Sequence, residues 1–179
     1  MIETERLILR QWRDEDREPF SALNADPEVR RHFPSVLTRD QSDSEMDRIV
    51  ARLAQDGTTF WAVERKADAT FLGFSGVLRT DAGLPFDCDP EIGWRFSRDA
   101  WGQGYATESA RAALAFAVER LKPKRVVSFT ATTNLKSQAV MNRIGMVRRG
   151  DLDFDHPRVA EGDPLRRHVV WAWESCAPA

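Results

Sequence analysis

The stretch SRDAWGQGYATES, residues 97–109, places two glycines immediately before a long helical pattern. It follows an alternating apolar run (Ile92, Trp94 and Phe96) and leads into an alanine-rich segment that predicts a helix over 105–121. The first amides of a helix have no partner within it, and the helix dipole favours an anion there. Glycine removes the Cβ that would keep an anion from the backbone and permits a positive φ. The two glycines therefore indicate a cradle for a diphosphate, and a tight left-handed turn without a ligand is the alternative.

Two common nucleotide-binding motifs do not match this stretch. The Rossmann fingerprint requires a third glycine where Thr107 stands, and a following acidic residue is missing from the expected place. A P-loop requires Gly-Lys-Ser/Thr after four intervening residues, and no segment of the chain has this pattern. A nucleotide-binding domain is therefore a less favoured interpretation.

The composition predicts one globular domain over residues 1–179, because 42% of the residues are hydrophobic and suffice for a core. The formal net charge of −2 provides no basic field that would attract nucleic acid. No run approaches the ~18 apolar residues of a membrane helix, and the opening MIETERLILR lacks the apolar core of a secretory signal. Cys88 and Cys176 lie far apart without the spacing of zinc ligands, which favours a reduced, cytoplasmic chain with no metal.

Local patterns predict strands and helices along the whole chain. Strands are expected at 4–12, 58–65, 70–78, 91–97, 125–131, about 146–153 and 167–174. Helices are expected from an N-cap at Asp14 to about Asp26, at 40–56, at 105–121 before Pro123, and at 134–144 before Gly145. This order predicts a mixed α/β (α+β) fold with more antiparallel pairing than a doubly wound nucleotide-binding fold.

Two segments together resemble the acetyl-CoA-binding core of the GNAT acetyltransferases: WGQGYATES at 101–109 and, about thirty residues later, TATTNLKSQAVMNRIGM at 130–146. The opening ETERLILRQWRDED at 3–16 is also similar to the first strand and helix of the ribosomal-protein alanine N-acetyltransferases, a group within that family. The resemblance implies a mostly antiparallel, twisted sheet of six to seven strands flanked by about four helices.

The same resemblance implies an acetyl-CoA-dependent N-acetyltransferase that modifies a primary amine, of a protein N-terminus or a small molecule. Transfer would be direct, in a ternary complex, because neither cysteine lies in a motif suited to an acyl-enzyme. The implied partners are acetyl-CoA and the amine, with no metal, nucleic acid or membrane, and a homodimer is compatible with the family. The alternative is a non-catalytic acyl-CoA-binding or sensor module.

The resemblance also assigns residues to the coenzyme. It implies that the coenzyme A pyrophosphate binds the backbone amides of Gly102, Gln103, Gly104, Tyr105 and Ala106. Trp101 stands where the family commonly has Gln or Arg. In the preceding strand, the family uses a bulge to receive the acetyl carbonyl and the pantetheine amides, here near Trp94, Arg95 and Phe96. Asn134 matches the asparagine that contacts the pantetheine arm.

The proton donor to the leaving sulfur is expected at Ser137. Many members of the family use a tyrosine on the helix after Asn134, but Met141 occupies that position and the chain's one tyrosine is Tyr105. Ser137 lies three residues after Asn134 and therefore on the same face of the helix. The alternative is a serine that bonds the carbonyl one turn back.

The base is expected at Glu91, which opens the strand with the implied bulge and reaches the amine through a water. A solvated carboxylate at a strand end is the alternative, and Asp87 and Asp89 are weaker candidates in a loop-like stretch. The acceptor is expected between the helices at 14–26 and 40–56 and the last strands. Trp12 and Trp101 are candidates to line that cleft, whereas the three histidines (His32, His156 and His168) show no spacing of a triad or a metal site.

Overall fold

The computed structural model describes residues 1–80, 83–86 and 89–175. Its helices are α1 (Arg17–Ala25), α2 (Arg39–Asp56), α3 (Tyr105–Leu121) and α4 (Leu135–Arg143). Its strands are β1 (Ile2–Glu3), β2 (Leu7–Arg10), β3 (Phe60–Arg65), β4 (Phe71–Arg79), β5 (Pro90–Phe96), β6 (Arg125–Ala131), β7 (Val147–Arg148), β8 (Phe154–Asp155) and β9 (Arg167–Glu174). Within these residues, no helix is both long and apolar enough to span a membrane. Asp87, Cys88 and Cys176 lie outside the described residues.

The strands form one open sheet in the order β1-β2-β3-β4-β5-β6-β9-β7, and β8 also pairs with β9. Every pairing is antiparallel except that of β5 with β6. The mixed, mostly antiparallel fold with four helices is therefore confirmed. Across the described residues the sheet has nine strands rather than six to seven, because three two-residue strands, β1, β7 and β8, extend it.

The predicted N-cap of α1 is wrong. Asp14 begins a 3₁₀ turn that ends at Asp16, and α1 begins at Arg17. The carboxylate of Asp16 turns back toward β2, where it accepts the backbone amide of Arg13 at 2.8 Å and both Nη atoms of Arg10 at 2.7 and 2.8 Å. These bonds hold the chain in a tighter turn before the helix can begin.

The strand expected at about 146–153 is wrong for most of its length. β7 has two residues, and a 3₁₀ turn follows at Gly150–Leu152. One backbone bond continues past β7, from the amide of Arg149 to the carbonyl of Val170 at 2.8 Å. The amide of Val170, which a longer strand would bond through its backbone, instead donates to the side chain of Asp153 at 3.0 Å. The backbone pairing therefore ends at Arg149.

Side chains on β5 divide between the two covered faces of the sheet. Ile92 is 0% exposed and belongs to the same apolar core as α3. Arg95 points to the opposite face, where it donates to Asn24 of α1 at 2.6 Å and to Glu45 of α2 at 3.2 Å. Because side chains alternate along a strand, Glu91 shares the face of Arg95. β5 thus carries polar groups toward α1 and α2 and apolar groups toward α3.

Candidate active site

Both glycines of the loop before α3 have left-handed backbone conformations. Gly102 has φ 75° and Gly104 has φ 83°, which side chains with a Cβ adopt at a cost of about 1–2 kcal/mol. A Cβ added at Gly102 would have no atom within 4 Å, and one at Gly104 would lie 3.4 Å from Nη2 of Arg6. The glycines are therefore required by backbone conformation, and the space beside them stays open.

The backbone amides of this loop are unpaired over six consecutive residues. The first amide to enter the helical ladder is that of Glu108, which donates to the carbonyl of Gly104 at 3.0 Å. Among the described residues, the amides of 102–107 have no protein acceptor. At the start of a 17-residue helix, such amides and the helix dipole together attract an anion. The cradle predicted from the glycine spacing thus fits a diphosphate group.

An arginine from the start of the chain holds this loop, and sequence reasoning missed it. Arg6 donates to the carbonyl of Gln103 at 3.0 Å, and its guanidinium lies 2.6 Å from the carboxylate of Glu108. Glu108 also accepts from the hydroxyl of Thr4 at 2.6 Å. Burial raises the pKa of Glu108, but the bonds from Thr4 and Arg6 outweigh it and leave the pKa lowered. Glu108 is therefore held as a carboxylate that anchors the loop.

The side chains of the other loop residues form contacts within the protein. Trp101 donates its indole N–H to the carbonyl of Phe96 at 2.9 Å, and the ammonium of Lys136 lies 4.5 Å from the centre of its ring. Gln103 donates to the carbonyl of Asp99 at 2.6 Å. Tyr105 is 6% exposed. All three residues were predicted to bind the coenzyme. Among the described residues, the backbone amides of Gln103 and Tyr105 have no acceptor, whereas the amide of Trp101 donates to the carbonyl of Arg98 in the preceding turn.

β5 and β6 diverge beside the cradle. Their one paired position within the described chain is Glu91 with Val127, whereas β5 pairs with β4 along its whole length, from Pro90 to Phe96. The edge of β5 that carries Trp94 to Phe96 therefore has no β6 partner in the ladder. An open edge of this kind exposes backbone donors and acceptors to a ligand between the strands.

The bulge expected near Trp94, Arg95 and Phe96 is wrong. β5 keeps a regular register with β4, and the register shift lies instead between β3 and β4, at Val63 and Glu64. The reason is a close approach at Gly73 of β4, where an added Cβ would lie 2.1 Å from the carbonyl oxygen of Arg95. Without a side chain at Gly73, β4 follows β5 with no extra residue.

At the start of α4, Asn134 and Ser137 form a small hydrogen-bonded unit. The side chain of Asn134 accepts the amide of Ser137 at 3.3 Å, and it donates to the hydroxyls of Ser137 at 3.0 Å and Thr130 at 2.9 Å. The Ser137 oxygen is thus an acceptor from Asn134, which directs its own hydrogen elsewhere. Met141 is 1% exposed in the core and brings no proton donor to this position.

The two carboxylates named as bases in the described chain differ in their surroundings. Asp89 accepts from Nε of Arg125 at 2.7 Å, which ties it to the start of β6. Glu91 is half-buried and lies on the face of β5 that is turned toward α1 and α2. Its oxygen Oε1 lies 3.8 Å from the position of a Cβ added at Gly93, whose missing side chain leaves room for the ring of Phe60.

Polar residues from α1 and α2 reach this same face and were missed from the sequence. Asn24, fully buried, donates to Ser42 at 3.0 Å and accepts from Arg95 at 2.6 Å. Trp12, expected to line a cleft, donates its indole N–H to the carbonyl of Phe60 at 2.7 Å. In the sequence, Asn24 is one of many polar and charged residues in these helices, and no spacing or motif distinguishes it from the others.

Two of the histidines lie together beyond β6. The rings of His156 and His168 are 4.8 Å apart, and both pack against Phe129 and Phe154. Burial lowers the pKa of His168, which favours a neutral ring. His32 lies apart from them, with Nδ1 3.3 Å from the hydroxyl of Thr133. The structure thus groups His156 and His168 in an aromatic cluster.

A separate open groove of about 470 Å³ contains none of the predicted site residues. Its lining comes from the later turns of α3, the end of α4 and β9. The residues are Arg111, Leu114, Ala115, Val118, Glu119, Ile144, Gly145 and Trp173. The candidate site is therefore the cradle with the opening between β5 and β6.

Comparison with known proteins agrees with this geometry. A family model described as an acetyltransferase (GNAT) domain matches residues 6–147, a range that includes the cradle and Asn134. The FsC-acetyl coenzyme A-N(2)-transacetylase of Aspergillus fumigatus is 31% identical over 172 residues, which cover 90% of this chain and 73% of that protein.

Solved structures share the fold over nearly the whole chain. An acetyltransferase from Agrobacterium tumefaciens has a TM-score of 0.79 at 24% identity and covers 97% of this chain and 94% of its own. RimL, a ribosomal alpha-N-protein acetyltransferase solved in complex with coenzyme A, has a TM-score of 0.72 at 16% identity and covers 96% and 95%. At these identities the likeness concerns the arrangement of helices and strands.

Proposed function

The chain belongs to the GNAT acetyltransferase family and is an acyltransferase, and we propose that it acetylates a primary amine with acetyl-CoA. The acceptor is the amine of a protein N-terminus or of a small molecule. Transfer occurs directly while both substrates are bound. The observation that carries this proposal is the row of unpaired amides at 102–107, at the start of α3.

The cradle fits the pyrophosphate of coenzyme A. The amides of Gly102 to Ala106 hold it, and the two left-handed glycines let the backbone approach it without an intervening Cβ. The divergence of β5 and β6 leaves the edge of β5 near Trp94, Arg95 and Phe96 without a β6 partner, so the backbone groups that face this edge can bond to the amides of the pantetheine arm; the carbonyl of Phe96 already accepts from Trp101. Asn134, at the start of α4, contacts the same arm. When bound, acetyl-CoA supplies the activated thioester.

Two side chains move protons in the proposed reaction. Glu91 accepts a proton from the acceptor through a water, because an ammonium has no lone pair with which to attack. Ser137 donates its hydroxyl hydrogen toward the departing sulfur, directly or through a water, since its oxygen is already an acceptor from Asn134. Solvent returns a proton to Ser137 and takes up the proton that Glu91 received, so the step balances. Positioned acid and base groups of this kind contribute about 10²–10⁴-fold each, and holding the reactants together contributes the rest.

The test is release of free thiol from acetyl-CoA in the presence of a panel of amines, with calorimetry of coenzyme A binding on the same protein. The proposal expects amine-dependent thiol release together with binding of coenzyme A. Binding without turnover on any amine would instead identify a module that carries acyl-CoA without transferring the acyl group. ATP or NAD raising the melting temperature more than coenzyme A does would contradict the assignment of the cradle.

A further inference from the structure

Two arginines are buried together on the face of the sheet that α1 and α2 cover. Arg30 is 8% exposed, and the side chain of Arg95 is 9% exposed. The guanidinium carbons of both lie against the ring of Phe33, at 4.7 and 4.5 Å from its centre. Two like charges removed from water at one site are costly unless opposite charges accompany them.

The carboxylates of the described chain compensate one of these two charges. Arg95 bonds to Glu45 at 3.2 Å and to the amide oxygen of Asn24 at 2.6 Å. Arg30 donates Nε to the carbonyl of Ser35 at 2.6 Å, and none of the described carboxylates forms an ion pair with it. Against two guanidinium groups there is thus one carboxylate, and one positive charge remains.

Each guanidinium also has a buried N–H group without a partner. Nη1 of Arg30 and Nε of Arg95 are both buried, and neither bonds to an acceptor in the part of the chain that the structure describes. Such groups cost about 1–3 kcal/mol each, and more when they belong to a charge. In keeping with this, burial and the neighbouring Arg95 lower the pKa of Arg30 to about 10. The pair therefore combines two unbonded N–H donors with one positive charge that no described carboxylate compensates.

The pair lies beside the place where the acceptor is expected. Arg95 is on β5, on the face that also carries Glu91, the proposed base, and beyond Glu91 the edge of this strand toward β6 is open. Phe33, which contacts both guanidinium groups, is 37% exposed, so the site adjoins solvent. Phe74 lies 5.0 Å from the guanidinium of Arg95 and provides an apolar wall.

We propose that Arg30 and Arg95 bind an anionic group, a carboxylate or a phosphate, that the acceptor amine carries. This inference rests on the proposed function and narrows its substrate to small amines with a negative charge. The two oxygens of a carboxylate can accept hydrogen bonds from separate guanidinium groups. Here they would accept from the N–H groups at Nη1 of Arg30 and Nε of Arg95. A polycationic amine is disfavoured, because the pair already has an uncompensated positive charge.

Matched amines test the proposal through thiol release. γ-Aminobutyrate is compared with butylamine, phosphoethanolamine with ethanolamine, and 1,4-diaminobutane serves as the cationic member. We expect kcat/KM to be at least about tenfold higher for the anionic member of each pair. The first pair reports on carboxylates and the second on phosphates. Equal values within both pairs, or a preference for the diamine, overturn the proposal.

Variants show whether the two arginines create the preference. In Arg30→Gln and Arg95→Gln, the ratio of kcat/KM within a pair should fall toward one. Arg31→Gln is the matched control, because it removes the same charge from the neighbouring residue, which is exposed and 3.7 Å from Glu28. Because Arg95 also connects α1 and α2, Arg95→Gln can prevent folding. The Arg30→Gln variant then provides the test. A ratio that survives in Arg30→Gln contradicts the assignment.

Binding measurements distinguish a failure of this inference from a failure of the proposed function. Calorimetry measures γ-aminobutyrate and butylamine on the protein saturated with coenzyme A, and we expect tighter binding of γ-aminobutyrate that Arg30→Gln abolishes. Thiol release with no difference in binding between the two amines removes the anionic subsite and leaves the acetyltransferase. Selective binding of γ-aminobutyrate without any thiol release supports the subsite and removes the proposed reaction.

Discussion

The guanidinium of Arg6 lies 2.6 Å from the carboxylate of Glu108, and the same guanidinium donates to the carbonyl of Gln103 at 3.0 Å. The segment between β1 and β2 thereby holds the loop before α3, whose amides at 102–107 have no acceptor among the described residues. Because a cradle binds tightly only when its donors are fixed in advance, we expect Arg6 to influence coenzyme binding by holding this loop.

Arg6→Ala should raise KM for acetyl-CoA roughly three- to tenfold, because the charge-assisted bonds that hold the loop are lost. kcat should change little, since Arg6 contacts no reacting group. Arg6→Lys should restore part of the affinity through the ion pair with Glu108. Arg149→Ala is the control, because it removes a surface ion pair with Asp151 at 2.8 Å far along the chain. Equal KM values in Arg6→Ala and the control would refute this role.

Gly104→Val should weaken coenzyme A binding by more than about tenfold, because its φ of 83° disfavours a Cβ and that Cβ would lie 3.4 Å from Nη2 of Arg6, which holds the loop. Gly57→Val is the matched control. Gly57 also has a left-handed φ of 69°, at the end of α2, with no atom within 4 Å of an added Cβ. Calorimetry with coenzyme A should distinguish them, and retained affinity in Gly104→Val would argue against the cradle.

Ser137→Ala should lower kcat by up to about 10²-fold, the lower end of what a positioned proton donor contributes. KM for acetyl-CoA should stay within a small factor, because the backbone cradle is intact. Gln138→Ala, on the next residue of α4, removes a hydrogen bond to the carbonyl of Thr132 and provides the control. Ser137→Cys keeps a donor and should recover part of the rate. Steady-state kinetics that show the same kcat for Ser137→Ala and wild type would exclude Ser137 as the donor.

Glu91→Gln should reduce kcat by about 10²–10⁴-fold, because the amide is similar in size to the carboxylate but accepts no proton. The loss should shrink at high pH, where more of the acceptor amine is already neutral. Melting temperature and coenzyme A affinity should match those of the wild type. A pH–rate profile that keeps its shape and height in the variant would show that solvent, rather than Glu91, removes the proton.

Arg10→Met should destabilise the protein by about 3–5 kcal/mol, since breaking a buried ion network leaves carboxylates without a partner. Arg10 is 7% exposed and bonds to Asp16 at 2.7 Å and Glu64 at 2.7 Å. Arg39→Met, which removes exposed ion pairs at the start of α2, should have little effect. Urea unfolding measures both, and a similar midpoint for Arg10→Met and wild type would contradict the network's importance.

Local patterns predicted the longer elements and failed where side chains from elsewhere competed. α3 was expected over 105–121 and is observed at Tyr105–Leu121, because its alanine-rich pattern and its end before Pro123 are both local. The N-cap at Asp14 was wrong because Asp16 bonds to Arg10 of β2. The strand expected to reach residue 153 stops at Arg148, since the partners that end it belong to β9.

The amino-acid sequence by itself determined the cradle. Gly102, Gly104 and the first turn of α3 are neighbours along the chain, and the backbone conformation that exposes their amides depends on residue types at adjacent positions. A pattern within about ten residues therefore contains the information needed for an anion site at a helix start.

Tertiary structure alone decided which charged side chains lose water and what they meet. Arg6 and Glu108 are 102 residues apart, and Arg30 and Arg95 come together from the loop after α1 and from β5. Among 26 lysines and arginines, no local pattern distinguishes those that folding will bury. Burial and pairing of a charge depend on the packing of distant elements, and for this reason only the folded chain brings together the two arginines of the proposed anionic subsite.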